Sequence, residues 1–308
     1  MITKLKSKDG MMPAPTLQPK TILDEVRKLD NRGILLHWIK AREKIRLERQ
    51  AGHNKPWTND PILASYRFCN VRRWDDKVSQ YLDLHWYTPN KDHKNIVIAC
   101  VLARHFNQPL TLAKIGFPKV YNEGYIQSGL EHIESLKRQG ETVFNSAYII
   151  RASGDYPNKS EMVFYETVQQ FVDTPTKYLL KADSMEDAVN LLMDYRNIGS
   201  FMAGQIAADL RWATSGKFLD KDTWAAMGPG SVRGMNWLQG RDIKFPLKQE
   251  QFLEELKEFK RFAIKALPTS ITSRLEMIDW QNMFCEIWKY VKALTGIGKP
   301  KQKYDGGL

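Results

Sequence analysis

Residues 66–77, Tyr-Arg-Phe-Cys-Asn-Val-Arg-Arg-Trp-Asp-Asp-Lys, carry the residue types needed to grip a phosphate. If this segment is helical, Asn70, Arg73 and Lys77 lie on one face, with carboxylates beside them. An arginine guanidinium binds a phosphate through two parallel hydrogen bonds, and a nearby carboxylate can hold it in place. The spacing therefore predicts phosphate contacts, although an exposed helix with ordinary ion pairs fits it equally well.

A short turn formed by Asn197, Ile198 and Gly199 precedes a helix whose apolar residues recur at steps of three and four. The hairpin of a helix-hairpin-helix element begins in this way, with backbone N–H groups at the helix start facing a DNA phosphate. Such a hairpin usually has two glycines. Asn197 takes the place of the first, and asparagine tolerates left-handed backbone better than most residues. A plain helix junction is the alternative.

Glycine, arginine and tryptophan are concentrated between Trp224 and Trp237. The glycines there are Gly228, Gly230 and Gly234, and the polar residues that accompany them are Ser231, Arg233 and Asn236. Glycines let the backbone come close to a ligand, and two tryptophans can enclose an extruded base between their rings. We interpret this segment as a ligand site rather than an ordinary tight turn.

A fourth segment, residues 279–290, places Glu286 and Lys289 on a helix with an apolar inner face. Residues three apart on a helix are neighbours, so these two are expected to form a plain ion pair. Spacing alone predicts no chemistry for this segment.

The net charge of the 308 residues is +11, because 46 Lys and Arg outnumber 35 Asp and Glu. Such an excess favours a polyanionic partner, although a merely basic protein is the simpler alternative. The three cysteines form no CxxC pair and the histidines no HExxH spacing, so we expect neither a metal nor a cofactor. There is no apolar stretch of about 18 residues and no signal sequence, so we expect a soluble intracellular protein that does not bind membranes.

Apolar residues at steps of three and four indicate helices along most of the chain, and the expected fold class is all-α. The predicted helices include residues 34–50, 95–106, 161–171, 185–195, 250–266 and 278–294. The helix over 34–50 has a strongly basic face, including Arg42, that is either solvated or follows a phosphate backbone. We expect a flexible basic arm (1–20), a helical body (21–300) in which two lobes are plausible, and a tail (301–308).

In order along the chain, the four segments resemble the α-glutamyl/putrescinyl thymine pyrophosphorylase family, also called amino acid:DNA transferases. The helical domain of that family is also found fused to hydroxymethyluracil DNA kinases. Its Phe-Thr-Asn-Val-x-Arg-x-x-Asp motif is similar to residues 68–76, with Cys69 in place of threonine. Its Gly-Ile-Gly-x-Phe-x-Ala-x-Gln, Gly-Pro-Gly-Ser-x-Arg-Gly and Leu-Cys-Glu-x-x-Lys-Tyr motifs are similar to residues 197–205, 228–234 and 284–290.

The resemblance implies a reaction on phage DNA, in the cytoplasm of the host cell. A kinase first phosphorylates 5-hydroxymethyluracil. The transferase then extrudes that base from double-stranded DNA and lets an amino acid or polyamine displace phosphate or pyrophosphate at the methylene carbon. Such a site needs a carboxylate to take a proton from the amine, cations for the leaving phosphate and aromatic walls. The chain has no GxxxxGK[ST] motif, so we do not expect it to be the kinase.

The chain also resembles helix-hairpin-helix DNA glycosylases, which implies a two-lobed helical architecture with a helix-hairpin-helix-like element. Asp222 and Thr223 lie 23 residues after Gly199. Those enzymes carry an Asp at a similar distance, and it faces the flipped nucleotide. The lysine of the bifunctional glycosylases falls at Ala203 here, so an imine-forming lyase is not expected.

Residue types and these resemblances together assign the predicted roles. Asp222 is the expected general base, with Asp209 as a reserve that could equally be structural. Arg73 and Arg233 are expected to bind the leaving phosphate. The remaining predicted contacts to substrate or DNA are Asn70, Arg72, Asp76, Asn197, Gly199, Gln205, Trp224, Gly228, Gly230, Ser231, Asn236, Trp237, Glu286 and Lys289.

Two other functions are compatible with the same residues. A monofunctional glycosylase would use Asp222 to assist water at the sugar carbon. A non-catalytic DNA-binding protein would use only the basic helix and the hairpin. A glycosylase leaves abasic sites in DNA, which a transferase does not. A non-catalytic DNA-binding protein leaves the mass of the base unchanged.

Overall fold

The computed structural model describes residues 19–145, 156–173, 176–214 and 218–303. The α-helices in these ranges are α1 (Pro19–Arg27), α2 (Asn31–Gln50), α3 (Pro61–Ser65), α4 (Lys77–Leu82), α5 (Ile96–Phe106), α6 (Pro109–Ile115), α7 (Glu123–Arg138), α8 (Lys159–Glu161), α9 (Gln170–Asp173), α10 (Met185–Met193), α11 (Ser200–Ala213), α12 (Pro229–Leu238), α13 (Gln249–Ala266), α14 (Thr269–Thr272) and α15 (Met277–Leu294). Short 3-10 and π turns occur between several of them, and one isolated β-bridge joins Tyr66 to Lys303. The predicted all-α fold is confirmed for the described residues.

Parts of both predicted termini lie outside this description. They are residues 1–18 of the predicted arm and residues 304–308 of the predicted tail. Residues 19 and 20 already belong to α1. Among the helices that the structure describes, none is long and apolar enough to cross a lipid bilayer.

Capping side chains explain where α2 and α3 begin. Asp30 precedes α2 and accepts a hydrogen bond from the Gly33 N–H at 2.7 Å. Asp60 precedes α3 and accepts hydrogen bonds from the N–H groups of Ile62 and Leu63. These carboxylates satisfy backbone donors that have no partner inside the helix. Helix α2 therefore begins directly after its cap, slightly earlier than the apolar pattern predicts.

The helices pack in two groups that share one continuous hydrophobic core. In the first group α2, α3, α12 and α13 pack against α15, and α1 packs on α2. In the second group α4 and the helices from α6 to α10 pack around α5 and α11. A 3-10 turn (Arg73–Asp75) contacts α15 and links the two groups. The more specific expectation of glycosylase-like lobes stays a prediction.

Helices α12 and α15 cross at very short distance at Gly234. A Cβ atom on this residue would lie 2.0 Å from the Phe284 carbonyl oxygen, so no larger residue fits. The segment between Trp224 and Trp237, interpreted from sequence as a ligand site, is helical from Pro229 onward, where α12 begins. Proline is favoured at the first position of a helix, and glycine allows the close crossing.

Replacing Gly234 with alanine is expected to destabilise the protein by about 1–3 kcal/mol or more. The new methyl group would collide with the backbone of α15. Urea denaturation measures the loss in the free energy of unfolding. Gly124→Ala in α7 is the matched control, since its Cβ would lie 3.5 Å from the Asn122 Oδ1, an ordinary contact. Equal stability of the two variants would contradict this crossing.

A buried ion pair between Arg104 and Asp209 joins α5 to α11. Both carboxylate oxygens of Asp209 accept hydrogen bonds from Arg104, and the Tyr87 hydroxyl donates another at 2.6 Å. Arg104 also donates to the Asn107 Oδ1 at 3.1 Å. The Asp209 side chain is fully buried, as its place on an apolar helix face predicts.

Candidate functional site

The four sequence segments singled out for their chemistry meet beside α15. The main-chain N–H of Arg73 donates to the Asp279 carboxylate at 2.7 Å, and the Arg73 guanidinium donates to Gln205 on α11. These two contacts join the first segment to the fourth segment and to α11. The sequence resemblance named these segments separately, and the fold brings them together.

Further contacts complete this meeting point. The Cys69 N–H donates to the Glu286 Oε2 at 3.1 Å, and the Gln281 Nε2 donates to the Ser231 Oγ at 2.9 Å. Gly230 lies against the sulfur of Cys285. We call the residues gathered here the central cluster: Arg42, Cys69, Asn70, Arg73, Asp76, Gln205, Cys285, Glu286 and Lys289.

The first segment is not one helix, so the helical faces predicted for it are wrong. The chain is non-helical over residues 66–72, turns once through the 3-10 helix and only then enters α4. Asn70 closes this loop, because its N–H donates to Asp76 at 2.7 Å and its Nδ2 donates to the Asp75 carbonyl at 2.6 Å. Short polar side chains compete with helices in this way by bonding the nearby backbone.

Arg73 is a buried cation, with 4% of its surface exposed. Its guanidinium donates to Gln205 and lies 6.0 Å from the centre of the Trp212 ring. Asp76 and Asp279 are near enough to interact with its charge. No carboxylate in the described part of the chain lies within ion-pair distance of it. Because buried charges are normally paired, this position suits an anionic ligand.

Asp76 is the half-buried carboxylate of the central cluster. Burial raises the pKa of Asp76 to about 6, although the hydrogen bond from the Asn70 N–H and the charges of Arg73 and Arg42 oppose the rise. The carboxylate therefore changes its charge near neutral pH, where a general base operates best. Sequence reasoning placed Asp76 among the substrate contacts and assigned the base elsewhere.

Asp279 serves the protein backbone from a more deeply buried position. One oxygen accepts the Arg73 N–H, and the other accepts the Glu276 N–H at 2.8 Å at the start of α15. Burial raises the pKa of Asp279 to about 7, against the lowering effect of these hydrogen bonds. Asp279 therefore positions Arg73. Asp279 was not among the predicted site residues. The sequence signal that could have found it is an acidic residue in the first turn of a helix.

The assignment of Arg42 to a solvated or phosphate-facing basic surface of α2 is wrong. Arg42 is only 7% exposed, its Nε lies 3.4 Å from the Phe68 carbonyl oxygen, and its Nη1 has no hydrogen-bond partner among the described residues. Burial lowers the pKa of Arg42, and the charge of Asp76 acts in the opposite direction. Spacing was the available signal, because Arg42 follows the buried Trp38 by four residues and Ile39 by three.

Glu286 and Lys289 form the ion pair that their spacing predicts, with the Lys289 Nζ 2.5 Å from the Glu286 Oε1. Burial acts to lower the pKa of Lys289, but the charge of Glu286 raises it overall. The two cysteines of the cluster differ from this pair. Burial raises the pKa of Cys69 well above its usual value and that of Cys285 to about 11, so both thiols are protonated near neutral pH and are poor nucleophiles.

The polar groups of the third segment are largely bound to the protein itself. The Ser231 Oγ accepts a hydrogen bond from the Gly228 N–H at 3.0 Å, and the Asn236 Nδ2 donates to the Phe245 carbonyl at 2.8 Å. A Cβ at Gly228 would lie 3.0 Å from the Phe201 ring. The glycines of this segment are thus used for packing, where the sequence predicted close approach of a ligand.

The two tryptophans of the third segment and Arg233 differ in accessibility. Trp224 is 7% exposed and belongs to the core. Trp237 is half-buried, and its carbonyl oxygen accepts a hydrogen bond from Asn31 at 2.7 Å. Arg233 is exposed on α12. Of these three, the exposed Arg233 and the half-buried Trp237 are accessible at the surface.

The turn before α11 has the backbone expected for its sequence. Asn197 has a φ of +67°, in the left-handed region that asparagine tolerates. Gly199 precedes α11 directly and is exposed, and a Cβ there would meet nothing within 4 Å. Gly199 therefore leaves room at the protein surface, and the use of the turn as a DNA-binding hairpin stays a prediction.

Asp222, the predicted general base, lies in an exposed turn. Its side chain is 52% exposed and pairs with Lys221 at 2.6 Å. The Asp222 carbonyl oxygen accepts a hydrogen bond from the Lys260 Nζ at 2.7 Å, and its carboxylate interacts with the charge of Glu276. These neighbours place Asp222 outside the central cluster.

Two other predicted site residues are held in ion pairs. Arg72 is half-buried and its Nη1 lies 3.5 Å from an oxygen of Asp75. Asp209, the reserve base, is enclosed with Arg104 away from solvent. A carboxylate in that position has no path for receiving a proton from a substrate, so the contacts of Asp209 support the structural role.

The fold and the central cluster define a helical protein that holds two buried arginines beside a carboxylate titrating near neutral pH, an arrangement suited to an anionic substrate. A family model described as the 5-hmdU DNA kinase, helical domain, matches residues 32–298. The chain belongs to this family of helical domains. The predicted relation to the helical domain of hydroxymethyluracil DNA kinases is therefore confirmed.

One curated relative is the 5-hmdU DNA kinase of Bacillus phage SP10. It is 25% identical to this chain over 208 residues, which cover 61% of this chain and 32% of the relative. The chain thus spans about a third of that relative's length. No solved structure matches the chain.

Proposed function

We propose that the chain transfers an amino acid or amine to the phosphorylated 5-hydroxymethyl group of uracil in double-stranded phage DNA, inside the host cell. The observation that carries the proposal is the central cluster. There Arg73 is buried with no carboxylate at ion-pair distance among the described residues, and the titratable Asp76 lies near enough to interact with its charge. The relative adds the substrate class, because a kinase of 5-hmdU DNA makes a phosphorylated base. Displacement of that phosphate or pyrophosphate is a reaction for which this cluster has the required groups.

A step other than phosphorylation fits the residues of this chain better. The family match covers the helical domain, and the 308 residues contain no GxxxxGK[ST] motif to hold a nucleoside triphosphate. The helical domain nevertheless shares a family with a DNA kinase. A role immediately after the kinase, on its product, is consistent with both facts.

The proposed reaction assigns a task to each charged group. The amine nitrogen attacks the methylene carbon while the bond from that carbon to the phosphate oxygen breaks, and Asp76 takes the proton that the nitrogen loses. Arg73 and Arg233 stabilise the negative charge on the departing phosphate. The half-buried Trp237 is the proposed aromatic support for an extruded base. Asp222 is the competing assignment for the base, because glycosylases carry an Asp at a similar spacing.

Duplex DNA binding is expected to weaken steeply with salt. The protein carries a net charge of +11, and the turn at Gly199 before α11 is exposed. If several phosphates are contacted, affinity should fall about tenfold or more as salt rises from about 50 to 200 mM, because bound counterions are released. Fluorescence anisotropy with a labelled duplex measures the slope. A salt-independent affinity would contradict the electrostatic argument.

Phosphate release distinguishes this function from its two rivals. DNA containing 5-hydroxymethyluracil is treated with the kinase and ATP, purified, and incubated with this protein and candidate amines. The proposal predicts release of phosphate or pyrophosphate that depends on the amine, without abasic sites. Abasic sites formed without the amine would instead identify a monofunctional glycosylase. If neither phosphate nor abasic sites form, the protein is a non-catalytic DNA-binding protein.

A further inference from the structure

Four cations lie in one region at the edge of the central cluster, where Lys292 follows Lys289 by three residues on α15. Arg233 on α12, Lys289 on α15 and Lys301 in the segment after α15 are all near enough to repel the charge of Lys292. Arg233 and Lys301 are exposed, and Lys292 is half-buried. Three separate parts of the chain therefore direct positive charge to one region.

The fold beyond α15 brings Lys301 to this place. The helix is followed by Gly296, whose φ is +76°, and the Gly298 N–H then donates to the Lys292 carbonyl at 3.2 Å. The chain next runs beside the start of the first segment, where the Arg67 N–H donates to the Gln302 carbonyl at 3.1 Å. Lys301 is thus held next to the segment that leads into the central cluster.

Three of these four cations have no protein counter-charge among the described residues. In the described part of the chain, Lys289 pairs with Glu286, whereas no carboxylate lies within ion-pair distance of Arg233, Lys292 or Lys301. Burial lowers the pKa of Lys292, and repulsion from the neighbouring cations lowers it further. Gathering like charges without a partner costs free energy that a bound anion recovers.

We propose that Arg233, Lys289, Lys292 and Lys301 form a binding site for a multiply charged phosphate group, either a terminal phosphate or pyrophosphate. This inference rests on the proposed function, because it takes the site to receive the group that leaves the base. Arg233 and Lys289 were expected to contact the substrate, and Lys292 and Lys301 are new assignments.

The arrangement fits a terminal phosphate or pyrophosphate better than a DNA backbone. A phosphodiester carries one negative charge, and successive backbone phosphates are spaced along the strand. Here three cations lie near a fourth, Lys292, beside the central cluster. Pyrophosphate carries several negative charges on two linked phosphoryl groups, and its oxygens accept hydrogen bonds from more than one cation.

Pyrophosphate binding to the full chain tests this inference without DNA or amine. Isothermal titration calorimetry compares the wild type with the double variant Lys292→Gln, Lys301→Gln. The control is Lys114→Gln, Lys265→Gln, which removes two exposed lysines elsewhere on the surface. The wild type is expected to bind pyrophosphate saturably and the double variant about tenfold or more weakly, because the variant loses two charged hydrogen-bond donors to the anion. The control should bind like the wild type.

Three outcomes would overturn the inference. They are the absence of saturable pyrophosphate binding by the wild type, equal weakening in the double variant and the control, and a loss confined to duplex DNA affinity in the double variant. Thermal unfolding checks that the variants fold, and Lys292→Arg with Lys301→Arg should restore binding. Pyrophosphate binding by a protein that forms no amine adduct would leave this site standing while the proposed function fails.

Discussion

Asp76→Asn is expected to slow amine transfer roughly 10²–10⁴-fold, the usual contribution of a general base. Affinity for unmodified duplex DNA should stay unchanged, because Asp76 is half-buried and its proposed task is to take a proton during the reaction. Asparagine keeps the size of the side chain and can still accept the hydrogen bond from the Asn70 N–H. Single-turnover rates on kinase-treated DNA, with binding measured separately, give both quantities.

The pH dependence provides a second readout of the same substitution. With the pKa of Asp76 raised to about 6, the wild-type carboxylate is protonated below that pH and cannot accept a proton. The wild-type rate should therefore fall as pH drops through about 6, and Asp76→Asn should lack this step. A residue with a purely structural role would leave the position of the step unchanged.

Asp222→Asn is the matched comparison, since Asp222 is the base that the glycosylase resemblance favours. It is 52% exposed and paired with Lys221, so we expect this variant to retain close to the wild-type rate. A large loss in Asp222→Asn together with normal turnover in Asp76→Asn would return the base to Asp222. Protein motion would then be needed to bring Asp222 to the central cluster.

Asp209→Asn is expected to destabilise the protein by about 3–5 kcal/mol, because it leaves Arg104 buried without a counter-charge. Urea denaturation followed by far-ultraviolet circular dichroism measures this loss. Activity per folded molecule should be unchanged if Asp209 has no part in catalysis. This result would separate the structural role from that of a reserve base.

The double variant Arg104→Met, Asp209→Leu is the control for this pair. Replacing both charges with apolar side chains removes the cost of burying them, so it should destabilise the protein less than Asp209→Asn alone. A double variant that is less stable than Asp209→Asn would contradict this account. The Tyr87 hydroxyl, which loses its acceptor in the double variant, sets the remaining penalty.

The long helices and the burial of Asp209 were predictable from sequence because both depend on local periodicity. The apolar steps of α2, α13 and α15 repeat over many residues, and their observed limits lie within a few residues of the predicted ones. The left-handed backbone at Asn197 was also predictable, since it follows from the residue type in a turn. Each of these features is determined by neighbours along the chain.

The arrangement of the central cluster was not predictable in the same way, because contacts distant in sequence create it. The first segment has helical spacing, yet the hydrogen bonds of Asn70 to Asp75 and Asp76 close a loop over residues that the spacing placed in a helix. The glycines of α12 resemble a loop until Gly234 is seen against Phe284. Arg42 has the charge of a surface residue but the position of a core residue in α2. Sequence therefore identified the segments, whereas packing determined the side chains that meet.

Nucleoside mass spectrometry tests the central claim most directly. Kinase-treated DNA is incubated with this protein and a ¹⁵N-labelled amino acid or polyamine, digested to nucleosides and analysed for mass. The account predicts a thymidine-like nucleoside that carries the labelled amine in place of the phosphate, formed by the wild type and strongly reduced in Arg73→Ala. Phosphorylated nucleoside that persists unchanged with every amine tested, although the protein is folded and binds the DNA, would contradict it.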